Sequence, residues 1–179
     1  MKDETAPALA ENCALLASIK LPRWRELPDL DLYMDQVLAL MGRYLGAYPG
    51  FDSKGLTASM VNNYVKLGAM PAPVKKKYTR THLAHLVVIC LLKPTLPIAS
   101  IRQIMAYELE NAPDEEVYDH FCEAFERMNC RAAEAAMQDA DTNRTDLSAL
   151  YHAALLAQAE QALALKLLAA WFPAENRAN

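Results

Sequence analysis

Apolar residues recur along most of this chain at helical spacing, and proline, glycine and capping residues mark the breaks. Residues 1–28 are the weakest-patterned part. Leu9, Cys13 and Leu16 can share one face of a short helix, and Pro22 and Pro28 then interrupt it. Trp24 is expected to be a core anchor for this arm. Tyr33, Val37, Leu40, Met41, Tyr44 and Tyr48 fall on one helical face, with Asp29 or Asp31 available as the cap. The run from Pro49 to Gly55 reads as a turn. Thr57 caps a second helix. Its apolar stripe is Met60, Val61, Tyr64 and Leu67, and its polar stripe is Ser59, Asn62, Asn63 and Lys66. Gly68 suits the C-terminal stop. Pro71 and Pro73 force the next stretch to be extended, and with Lys75, Lys76, Lys77 and Tyr78 it predicts a small two-stranded wing.

Thr79 caps a third helix in which residues 86–92 are apolar all round, the signature of a central element. Pro94 ends it, and Pro97 opens a fourth helix with Ile98, Ile101, Ile104, Met105 and Leu109 as its stripe. Pro113, Asp114, Glu115 and Glu116 make a helix start, with acids at the positive dipole end. Val117, Phe121, Phe125, Met128 and Ala132 give that helix its buried face. Residues 139–145 read as a turn, and a last Ala- and Leu-rich helix runs from Asp146 to Phe172, where Pro173 stops it. These two helices are expected to form an antiparallel pair. The fold class is therefore mainly all-α: a winged helix-turn-helix with a small β wing, followed by a C-terminal helical pair. The divisions are an arm at 1–28, the winged unit at 29–107 and a helical region at 108–179.

Charge sharpens this picture. Between Ser53 and Tyr107 there are eight Lys or Arg and no Asp or Glu, whereas the whole chain is net −4. A basic middle between acidic ends points to a phosphate-bearing partner. A polar helix face followed by a basic wing has the logic of a helix in the major groove with flanking backbone contacts. Asn can read adenine bidentately and Lys can neutralise phosphate. Candidate DNA contacts are Ser59, Asn62, Asn63, Lys66, Lys75, Lys76, Lys77, Tyr78 and Arg80, with double-stranded DNA as the partner.

The remaining composition excludes more than it adds. The four cysteines include no C-x-x-C pair, and Asp3 and Glu4 argue against a secretory start, so a cytoplasmic protein with reduced thiols is expected. The apolar segment 147–159 is too short to span a bilayer, so no membrane association is expected. Cys122 and Cys130 lie about two helical turns apart beside His120, and His82 and His85 are two ligands without a third, so no metal or cofactor is expected. No phosphate loop, Gly-rich fingerprint or Ser-His-Asp order is present, and no enzymatic activity is expected.

Residues 60–68, Met-Val-Asn-Asn-Tyr-Val-Lys-Leu-Gly, resemble the MerR recognition helix at Tyr64 and Gly68, with Asn62 and Asn63 standing where that pattern has Arg and Tyr. Lys77, Tyr78 and Thr79 resemble the end of the MerR wing, and Leu83, residues 86–92 and residues 98–101 resemble the next two helices. More of the chain is similar to the bacterial family catalogued as domain of unknown function 1836. That similarity is carried by residues 21–28, 32–37 and 60–78. It implies a fold and no established activity.

The leading expectation is a DNA-binding transcriptional regulator, dimeric because one recognition helix reads few base pairs. Its acidic C-terminal helices are available for dimerisation or for a small-molecule or protein effector. The alternative is a non-enzymatic protein-interaction module that keeps the fold without DNA.

Overall fold

The computed structural model describes residues 5–49, 51, 55–141 and 146–173. Among them are seven α-helices, one 3-10 turn and no strand. The helices are α1 (Thr5–Ser18), α2 (Met34–Leu45), α3 (Ala58–Lys66), α4 (Arg80–Leu92), α5 (Ile98–Asn111), α6 (Asp114–Asp141) and α7 (Asp146–Trp171), with the 3-10 turn at Trp24–Glu26. The chain divides into two compact units, one of residues 20–125 and one of residues 1–19 with 126–179.

The 20–125 unit is built around α4. Residues 82–89 of this helix are all buried, as an element without a polar face must be. It packs against α2 and α5, and α2 packs against α3. Val37, Met41 and Leu45 of α2, Val61 and Tyr64 of α3, and Ile101 and Met105 of α5 complete the core. Two helix-end signals hold, whereas α2 is opened by Tyr33, whose N–H donates to Gln36 Oε1 at 2.8 Å, and not by Asp29 or Asp31. Thr57 Oγ1 accepts the Met60 N–H at 3.3 Å. Gly68 takes φ +69°, the left-handed stop that a side chain would resist.

The segment before α2 joins this core instead of lying apart as an arm. Leu21, Leu27 and Leu32 are buried. Trp24 stacks edge-on against Tyr118 of α6, with centroids 6.3 Å apart, and its backbone N–H donates to Asp119 Oδ1 at 2.7 Å. Trp24 is therefore a half-buried residue packed on α6, outside 29–107, and not the fully buried core anchor expected. Tyr48, just past α2, meets Phe125 with centroids 5.2 Å apart.

The expected two-stranded wing does not form strands among the described residues. In its place are two isolated antiparallel bridges, Leu32 with Tyr78 and Val74 with Lys77. Pro71 and Pro73 explain the difference. Proline has no N–H for a ladder, so pairing cannot extend beyond the turn.

In the other unit, α1 contributes the buried Cys13, and Cys130 Sγ of α6 donates to the Ala17 carbonyl at 3.8 Å. Of the turn expected at 139–145, residues 139–141 are helical as the end of α6, and residues 142–145 lie outside the described residues. The last helix of the expected antiparallel pair is present as α7, and much of its apolar surface is open to solvent. Leu150, Leu155, Leu156, Leu163 and Trp171 are all exposed. It also differs in length from the segment read at 147–159. Residues Leu150–Trp171 form one continuous stretch, long and apolar enough by length and composition to cross a membrane. The single charges Glu160 and Lys166 interrupt the apolar run without ending the helix.

Candidate nucleic-acid interface

The face read from the sequence is assembled by α3 and by the turn that precedes α4. Val61 and Tyr64 point α3 into the core, which leaves Ser59, Asn62, Asn63 and Lys66 exposed on the opposite side. Lys66 lies in the last turn, where a cation also suits the negative end of the helix dipole.

Val74, Lys75, Lys76 and Lys77 form a tight turn closed by the Lys77 N–H donating to the Val74 carbonyl at 3.0 Å. Both central residues have positive φ, 52° at Lys75 and 64° at Lys76. This is the geometry that normally selects Asn-Gly, because a Cβ crowds the backbone there. Two lysines hold it here, and both are exposed. The turn is fixed at its base by reciprocal backbone bonds between Leu32 and Tyr78, at 2.9 and 2.8 Å.

Three of the sequence-predicted contacts are placed differently from the rest. Tyr78 is 3% exposed, with its ring edge-on to His82 at 5.4 Å, so it is a core aromatic and not a surface contact. Arg80 turns back onto the arm. Its Nε donates to the Leu27 carbonyl at 3.1 Å, its guanidinium lies 5.7 Å from the Trp24 ring centre, and Asp29 is 3.7 Å away. Lys77 is half-exposed and pairs with Asp31 at 3.3 Å. Asp29 and Asp31 lie in an unpatterned stretch about fifty residues away in sequence, so nothing local reveals these pairings.

One cation near the α3 face was counted by the sequence reading but not chosen. Arg102 of α5 runs alongside Gly68. A Cβ at Gly68 would stand 3.7 Å from the Arg102 Cδ, an ordinary contact distance, so Arg102 lies beside the end of α3.

Two buried histidines underlie the turn. The Thr79 N–H donates to His82 Nδ1 at 2.9 Å, so that nitrogen must carry a lone pair. Burial holds His82 below the ordinary histidine range, and the Ala72 backbone opposes this in part. His85 Nδ1 lies 3.3 Å from the Ala69 carbonyl, and burial lowers its pKa as well, opposed by the Ala69 backbone and the Asp114 charge. Both groups bind protons less readily when folded than when unfolded. Their contribution is therefore complete above the unfolded pKa of about 6.5 and is lost as pH falls from there through the folded values. The melting temperature is expected to be flat from pH 8 to 7 and to drop below pH 6.5. In a His85→Gln variant the curve should start lower and fall less steeply, which calorimetry across that range would read.

Among the described residues, no three His, Cys, Asp or Glu side chains converge as metal ligands. Burial pushes the Cys90 and Cys122 thiols up to about 11, so both stay protonated and unreactive at neutral pH.

Residues 22–127 match the model of the family described as Domain of unknown function (DUF1836). That match spans more than half of the sequence and nearly coincides with the 20–125 unit, so the all-α unit built on α4 is the family's domain and the chain belongs to this family. Neither the curated proteins nor the solved structures include a match to the chain.

Proposed function

We propose that this protein is a DNA-binding transcriptional regulator of MerR-like logic, reading duplex DNA with α3 and gripping the flanking backbone with the Val74–Lys77 turn. The observation that carries the reading is the turn itself. Two lysines occupy left-handed positions that favour Asn and Gly, so conformational stability is given up to display two adjacent ammonium groups, and such strain collects at functional sites. Asn62 and Asn63 supply base-reading amides in the major groove, with Ser59 beside them. Lys66, Lys75 and Lys76 supply phosphate contacts, with Arg102 at the edge of the same face. Tyr78 and Arg80 support the turn from within. The protein acts as a homodimer in the cytoplasm, because one α3 spans too few base pairs for useful specificity.

The test is fluorescence anisotropy of the full chain on random duplex DNA across a salt series, followed by selection of preferred sequences. Three or four phosphate contacts give a slope of log affinity against log salt of about −3 to −4. Asn62→Ala with Asn63→Ala is expected to relax the selected sequence while leaving that slope in place. The second reading, a protein-interaction module, is favoured by the Lys77–Asp31 and Arg80–Asp29 pairs, which show this face already taking carboxylates. A folded protein with no affinity for duplex at low salt would overturn the DNA reading and leave the interaction module to be tested with acidic protein partners.

A further inference from the structure

A cavity of about 210 Å³ opens behind α3, on the side away from the polar stripe. Phe51, Leu56, Met60 and Pro94 form its apolar walls, and Tyr64 and Lys93 complete it. Tyr64 is 2% exposed, yet its hydroxyl has no hydrogen-bond partner. A buried hydroxyl left unpaired is destabilising, and in a folded protein it calls for an explanation. Lys93 leaves the end of α4 and carries its ammonium over the Tyr64 ring, 5.9 Å from the ring centre. Among the described residues no carboxylate lines the cavity, and the Cys90 thiol in its wall stays protonated.

We propose that this cavity binds a small organic monocarboxylate with a compact apolar body, such as a single aromatic ring or a short branched chain. The apolar walls take the body. The carboxylate draws Lys93 off the ring, pairs with its ammonium and accepts the Tyr64 O–H, which then has its missing partner. Size supports this class, since an apolar cavity of about 150 Å³ already accommodates benzene. Charge supports it too: among the described residues the one ammonium lining the cavity, that of Lys93, matches a monoanion, whereas a phosphate dianion would be only half-neutralised by it. The inference does not depend on DNA binding.

The test is titration of the full chain with benzoate and phenylacetate, followed through the Met60 methyl resonance, with benzyl alcohol as the uncharged control. Saturable shifts are expected for both acids, with affinity at least tenfold above that of benzyl alcohol. Lys93→Met should weaken the acids at least tenfold and leave the alcohol unchanged. Tyr64→Phe should weaken the acids severalfold while raising the melting temperature, because it removes the unpaired hydroxyl without opening the core. That combination separates a ligand-binding role from a packing role. Acids that bind no better than the alcohol, or that ignore Lys93→Met in a folded protein, overturn the proposal.

Discussion

Exchanging Lys75 for Asn and Lys76 for Gly is expected to move stability and DNA affinity in opposite directions. Both residues sit at positive φ, where an ordinary side chain costs about 1–2 kcal/mol and where Asn and Gly are at ease. The double variant should therefore gain roughly 1–2 kcal/mol in urea unfolding, allowing for partial relaxation in the present turn. The same change removes two ammonium groups from the tip. If each neutralises one phosphate, the salt slope falls by about 2 and affinity at 0.1 M salt drops by roughly 60-fold. Lys75→Gln with Lys76→Gln separates the two effects, since it removes the charges and keeps the strain. It should match the first variant in DNA binding and the parent in stability. A salt slope unchanged in both variants would remove the turn from the interface and leave α3 as the reader alone.

Leu86→Ala is expected to have the largest effect on stability in the 20–125 unit. Leu86 is fully buried near the middle of α4, the helix on which α2 and α5 both pack. Truncation there loses the transfer energy of the removed carbons and leaves a cavity that well-packed neighbours cannot close, a loss of about 2–5 kcal/mol. Against a typical total of about 5–15 kcal/mol, this is a large share of the unit's stability and should lower the melting temperature by about 10 °C or more. Leu91→Ala is the control. Leu91 lies on the same helix but is only half-buried, so its denaturation midpoint should shift by less than half as much. Equal shifts for the two would mean that α4 is not the centre of the unit.

The starts, the stop and the central helix of the family domain were legible because their signals are local, whereas the buried face of α6 lies one position on from the stripe expected: Tyr118, Cys122, Asn129 and Ala133 are buried, and Met128 and Ala132 are exposed. Thr57, Gly68, Thr79 and the apolar run at 86–92 announce starts, a stop and a buried element within a few residues. The polar face of α3 was legible for the same reason, as two stripes on one period. The rest depended on distant partners. The segment holding Leu21, Trp24, Leu27 and Leu32 has no period to read, and its place in the core is set by Tyr118, Asp119 and Tyr78. The inward turn of Arg80 follows from Trp24 and Asp29, and the pairing of Lys77 from Asp31. The basic turn was visible as a turn, but two prolines kept it from becoming a wing. The exposure of α7 was hidden because a composition rich in Ala and Leu fits a packed helix as well as an open one.

The bond from the Trp24 N–H to Asp119 also orders events in time. It joins residues 95 positions apart, and the Trp24–Tyr118 ring contact spans almost the same distance. During synthesis Trp24 emerges long before these partners, and its contacts with them wait until the first turns of α6 have left the ribosome. α2, α3 and α4 can associate before then through nearer contacts, but the unit closes only when its far end arrives. A chain interrupted before residue 118 would therefore leave the Trp24 ring without its partner on α6, a species for chaperones to shield rather than a smaller version of the domain.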